Sequence, residues 1–236
     1  MKDKSLVVAK INFRNLKLAY IFTGILFFGM IIEDVVFILL EYFGAYSGNA
    51  DNTVVGIGNF LFLFVIFGAI FIPSTNFRKI MHLGAKRSNY FKGCALAHVI
   101  IAATVSLAGI ILYFTYERFI SLSFYGGGSL NVLDVFGWMD NGFAVAFLQQ
   151  FAFLLLLASV IHTLTAAQDK WYGWVADVVI AAVISVFTPI APLRRALVGF
   201  FHLIIFSPAA LQIASCLVLA AAVYMLNKPI FARRVI

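Results

Sequence analysis

The side chains able to do chemistry in this 236-residue chain are few, and most lie in apolar surroundings. The four histidines, His82, His98, His162 and His202, form no H-E-x-x-H zinc pair, and no G-x-S-x-G nucleophile turn is present. Glu33 and Asp34 are adjacent, but they lack the basic partner four residues on that an acidic-pair membrane protease carries. No G-x-x-x-x-G-K-[ST] phosphate loop occurs. Gly126-Gly127-Gly128 is not one, because Ser129-Leu130 follows it. Cys94 and Cys216 both sit in apolar runs and are expected to be buried free thiols. The chain is therefore expected to be no enzyme and to hold no metal or cofactor of its own. An intramembrane enzyme with a serine-based site has no positive signal and stands as a lesser alternative.

What is left is a small set of polar groups inside apolar segments. An ionisable side chain in hydrocarbon is costly, so each is a candidate site. Glu33, Asp34 and Glu41, with Gln149 and Gln150 at a similar depth, form one set. They either line the outer half of a translocation route attractive to cationic groups, or bond neighbouring helices near the interface. His98, His162 and Asp177 form a second set near the inner surface. They make an inner gate, a His–Asp pair, or polar packing between helices. His202 stands alone and is assigned no role.

The elements that must position these groups follow from composition. The chain is 63% hydrophobic and 11% charged, against about 45–50% and 25% for a soluble domain. That excludes an ordinary soluble enzyme, a nucleic-acid-binding domain and a disordered protein. The expected fold is an all-α integral membrane protein with six spans, since about 20 apolar residues cross a bilayer. The spans are placed at 18–43, 54–73, 93–116, 143–166, 172–189 and 206–226. Residues 1–17 are expected to form an interfacial amphipathic helix on membrane lipid, with Lys10, Arg14 and Lys17 on one face. The alternative is a disordered basic leader. Ala196 to Phe206 is apolar but only 11 residues long, so it is expected to be a re-entrant or interfacial hairpin, or a short outer loop.

With six spans both termini share a side. That side receives Lys2, Lys4, Lys10, Arg14, Lys17, Arg78, Lys79, Lys86, Arg87, Lys92, Lys170, Lys228, Arg233 and Arg234, which are 14 of the 17 basic residues. The other receives Arg118, Arg194 and Arg195 with Glu41, Asp51, Glu117, Asp134 and Asp140. The positive-inside rule puts the basic side, and both termini, in the cytoplasm. The +7 charge is thus a topology signal and not a mark of nucleic-acid binding.

The loop Pro73 to Lys92 carries a pattern that a plain hydrophilic connection does not need. Ser74, Thr75 and Asn76 are helix caps after a proline, and Ser88 is a cap for the third span. Phe77, Ile80, Met81 and Gly84 recur at helical spacing, with Arg78, Lys79, His82 and Lys86 on the basic face. A short cytoplasmic helix over 74–90 that docks into a groove of another protein is expected. From Phe77-Arg78 through Gly84-Ala85-Lys86-Arg87 to Tyr90-Phe91, this loop resembles the G-x-[ST]-R-x-x-[FY]-F loop of bacterial ABC-2-type transporter permeases. Ala85 departs from the usual residue there. The motif covers about 15 residues, and the likeness in topology covers the whole chain.

The resemblance implies the transmembrane subunit of an ATP-driven exporter in the bacterial cytoplasmic membrane. The loop would be its first coupling helix, using Phe77, Arg78, Ile80, Met81, His82, Gly84, Lys86 and Arg87. It further implies two copies of an ABC ATPase that hold ATP and Mg, and a second copy or homologue of the permease. The substrate would be amphipathic or hydrophobic, an amphipathic peptide first, as in phenol-soluble modulin exporters. A sensor or immunity protein that binds a peptide without ATP is the alternative.

Overall fold

The computed structural model describes residues 4–45, 54–118 and 129–233. Lys2, Asp51, Arg234 and the Gly126–Gly128 run lie outside the described residues. The helices, in chain order, are α1 (Lys4–Arg14), α2 (Lys17–Tyr42), α3 (Ile57–His82), α4 (Arg87–Glu117), α5 (Val132–Val135), α6 (Phe143–Ala167), α7 (Trp171–Phe187), α8 (Ala191–Ile205), α9 (Ala209–Met225) and α10 (Asn227–Arg233). A two-residue parallel bridge joins Val54–Val55 to Ser129–Leu130.

Among the described residues, five helices are long and apolar enough to cross a membrane: α2, α3, α4, α6 and the run Ala209–Ala232. The helices α7 and α8 pass the same test only together, and they are bent by 117°. Two contacts fix the direction of this part of the chain. Gln212 Nε2 donates to the Gln149 carbonyl at 3.4 Å, and Asn227 Nδ2 to Thr163 Oγ1 at 2.8 Å. The sequence separation is nearly constant, 63 then 64, so α6 and α9 run parallel. The bent pair between them must therefore return the chain from one end of α6 to the other. The segment drawn from sequence as Ala196 to Phe206 is instead a 15-residue helix that takes in Arg194 and Arg195. Its last carbonyls would lack partners within the helix. Trp138 Nε1 donates to Ile205 O at 3.0 Å, Gln212 Nε2 to Ile204 O at 3.1 Å, and Ser215 Oγ to Leu203 O at 3.4 Å.

The core is built from α1, α3, α4, α6, α9 and α10. By contrast, α2 buries only Ala19, Thr23 and Asp34, and α7 only Gly173. These two sit on the outside of the bundle with their apolar side chains facing out.

The helix expected over 74–90 does not stand apart, because its Phe77–His82 part is the last stretch of a longer helix. The chain from Ile57 to His82 is one helix that passes through Pro73 without breaking. Proline has no N–H and crowds the preceding turn. Here Ile72–Asn76 widens into a π-helical turn. The Ser74 and Thr75 hydroxyls donate back to the carbonyls of Ile70 and Phe71 at 2.6 and 2.7 Å, and Tyr90 Oη donates to Ile72 O at 2.7 Å. Ser74 and Thr75, read as caps, therefore bond back into the same helix and do not start a new one, while Asn76 donates to Asn12. Ser88 is no cap either: α4 begins at Arg87, with Lys86 in the cap position and no side-chain cap bond. Between His82 and Arg87 there is only a tight turn. Gly84 adopts φ +77°, a left-handed conformation that ends a helix at little cost only for glycine.

Candidate functional site

The basic end of the bundle gathers the most distant parts of the chain. Helix α1 lies against α4, and Gly93 makes this possible. A Cβ at Gly93 would stand 2.5 Å from Val8 Cγ1 and 2.9 Å from the Ser5 carbonyl. Asn12 interrupts the apolar face of α1. It is fully buried, donates to Cys94 Sγ at 3.5 Å and accepts from Asn76 Nδ2 at 3.2 Å. Thus α1 is held to the protein by its inward face as well as by any lipid beneath it. Cys94 and Cys216 are both buried and unpaired as disulfides.

The residues proposed for docking divide sharply. Phe77, Ile80 and Met81 are buried. The Phe77 ring stacks on Phe231 of α10 at 5.5 Å, and both meet Tyr90 edge-on. The apolar stripe has found its partner inside the same chain, so it is not offered to another protein. Arg87 donates to the Ala232 carbonyl and so ties α4 to α10. Arg78, His82, Gly84 and Lys86 are exposed, as are Lys79 and Leu83 at the same tip. No local signal marked Phe231 as the ring that completes this cluster. Its only sign was an aromatic in a basic tail.

One level further into the bundle lie His98 of α4 and His162 of α6. His98 Nε2 is 2.9 Å from His162 Nδ1, and the rings meet at 79°. Both are buried, beneath Tyr224 of α9, whose ring is 5.6 Å from that of His162. A neutral imidazole has one donor and one acceptor nitrogen, so the pair shares one hydrogen bond. Asp177 is not part of it. It accepts from Gln168 Nε2 near the start of α7. The inner set therefore separates into a His–His tie between two helices and a carboxylate elsewhere.

The outer set separates as well. Asp34 accepts from Tyr116 Oη at 2.8 Å, while Glu33 and Glu41 face away from the bundle. Asp34 and Glu41, seven residues apart, do not share an environment. Gln149 accepts from Asn141 Nδ2 at 3.2 Å, and Gln150 packs on Gly109. Asp34 bonds toward α4, Gln149 bonds the α6 entry through its side chain and α9 through its carbonyl, and Gln150 packs against α4. No hydrogen bond between the two groups is formed among the described residues.

A different carboxylate organises the end opposite the basic tip. Glu117 closes α4 in a second π-helical turn, Tyr113–Glu117. It is buried, accepts from the Gly58 amide at 2.8 Å and from Asn131 Nδ2. Asn59 adds two bonds across the same junction, to Leu130 O at 2.8 Å and from Val132 N at 3.0 Å. Glycine is needed at position 56, where a Cβ would stand 2.7 Å from Glu117 Oε2. Sequence placed Glu117 merely on the outer side. Its partners are 14 and 59 residues away, beyond any local pattern.

These features define a multi-pass helical membrane protein with polar ties at both ends of an apolar bundle. No protein-family model, curated protein or solved structure matches the chain.

Proposed function

We propose that the chain is the transmembrane subunit of an ATP-driven exporter of the ABC-2 type. It moves an amphipathic or hydrophobic substrate, a peptide as first choice, out of the cytoplasm or the inner leaflet. The observation that carries this reading is the built basic end. The segments around Val8, Phe77, Tyr90 and Phe231 are packed into one body there, and Arg78, Lys79, His82 and Lys86 project from it. A rigid cationic tip on a membrane bundle is suited to receive force from a soluble partner. The positive-inside rule supports a cytoplasmic side for that tip, and the bacterial membrane is what the resemblance implies. ATP and Mg belong to the partner, because the sequence has no phosphate loop. The outward-facing apolar side chains of α2 and α7 support pairing with a second permease.

The packing changes which substitution tests this. Met81→Asp would bury a charge and disrupt the fold, so it does not isolate docking. Leu83 is 72% exposed at the tip. Leu83→Asp combined with Lys79→Glu keeps the core intact and reverses the tip. Tagged protein captured from its native membrane is expected to bring an ATPase with it. The double variant should then lower ATP hydrolysis of the captured complex about tenfold or more. Capture of no ATPase, or undiminished hydrolysis, refutes the exporter reading.

A further inference from the structure

Beside the tip, between α1 and the α3–α4 turn, lies a groove of about 310 Å³. Its walls are apolar: Val7 and Ile11 on one side, Ile80 and Leu83 on the other. Lys4, Lys86 and the Asn89 amide stand around them, and no acidic side chain is among the described residues that line it. The groove is held in shape from below, since Val8 is clamped on Gly93 and Asn12 on Asn76.

Its depth in the bilayer follows from helix length. Ile57 starts α3 at the outer junction formed by Gly58 and Glu117. A hydrocarbon core of about 30 Å takes about 20 residues at about 1.5 Å each. That brings α3 to Asn76 at the inner boundary. Ile80 and Leu83 lie four and seven residues on, about 6 to 10 Å deeper, at the level of the inner headgroups. At that level an apolar trough with a cationic rim matches one kind of molecule: acyl chain and glycerol along the walls, phosphate at the lysines.

We propose that this groove is a binding site for an anionic glycerophospholipid of the inner leaflet. Lys4, Lys86 and Asn89 meet the phosphate, and Val7, Ile11, Ile80 and Leu83 flank the upper acyl chain. This rests on the chain spanning a membrane with its basic end at the inner leaflet, as the positive-inside rule favours, and is independent of any ATPase.

The test is native mass spectrometry of the full chain in detergent, titrated with phosphatidylglycerol, phosphatidylcholine or free glycerol 3-phosphate. Wild type should prefer phosphatidylglycerol, and glycerol 3-phosphate should not compete. A lysine near an anionic headgroup contributes about fivefold, so Lys4→Gln/Lys86→Gln should cut the preference by about 25-fold. Lys79→Gln/Lys228→Gln removes the same charge at the same end but outside the groove, and should retain it. Both lysine pairs are exposed, so neither change disturbs the core. Three results overturn the site: equal binding of the two lipids, equal loss in the two double variants, or competition by glycerol 3-phosphate as strong as by the lipid.

Discussion

The contact between Gly93 and α1 allows the sharpest test of how the basic end is built. In Gly93→Ala the new Cβ would stand 2.5 Å from Val8 Cγ1, 2.6 Å from Val8 Cβ and 2.9 Å from the Ser5 carbonyl. Ordinary carbon contacts lie near 3.5–4.0 Å, so α1 must move away by about 1 Å. Neither Val8 Cβ nor a backbone carbonyl can swing aside as a flexible side chain would. Inserting a methyl into a packed site costs about 1–3 kcal/mol. If α1 undocks altogether, the burial of Val8 is lost too, about 1.5–3 kcal/mol. The Asn76–Asn12 bond at 3.2 Å would then break as well, leaving a buried amide unpaired. The measurement is amide hydrogen exchange over Lys4–Arg14 and around Asn76, with unfolding in mixed detergent as the stability readout. Faster exchange in both segments and a loss of about 2 kcal/mol are expected. Val8→Gly removes the two nearest atoms of the clash, so Gly93→Ala should cost less in that background. Unchanged exchange at Asn76 in Gly93→Ala, or simple additivity of the two changes, would refute this account of docking.

Two further outcomes follow from the polar ties. His162→Leu leaves His98 Nε2 without its hydrogen bond and should destabilise by about 1–3 kcal/mol, whereas replacing both histidines with Leu should cost less than the sum of the two single changes. Detergent unfolding checks this, and a double variant that loses the full sum counts against a shared bond. Glu117→Ala strips the shared acceptor from Gly58 and Asn131 and should cost about 1–3 kcal/mol, with faster exchange confined to the 56–62 and 129–135 segments. Exchange spread evenly over the bundle would mean that Glu117 does not organise that junction.

The class of the protein was legible in its composition, because too few charges existed to clothe a soluble surface. Individual polar residues were legible only where their partners were near in sequence. Asn12 looked like an interruption because Asn76 and Cys94 lie 64 and 82 residues away. The stripe Phe77, Ile80, Met81 was a correct signal of burial. Helical periodicity says that a face is covered, and it does not say by what. Here Tyr90 and Phe231 cover it, so the same pattern that suggested a foreign groove reports an internal one. Pro73 misled for a different reason. A proline with flanking Ser and Thr marks either a helix start or a repaired kink, and the choice depends on the tertiary bond from Tyr90 to Ile72.

The stacking of Phe231 on Phe77 also dictates an order of events. The ribosome delivers α3 and α4 long before α10, with 154 residues separating the two rings by number. Until α10 emerges, Phe77 and Tyr90 stand uncovered on the basic side, beside a half-closed bundle. Non-local contacts of this kind form late. The nascent protein therefore passes through a stage in which its spans are formed while the basic end is still open. Closing that end is the act that turns a set of inserted helices into one body.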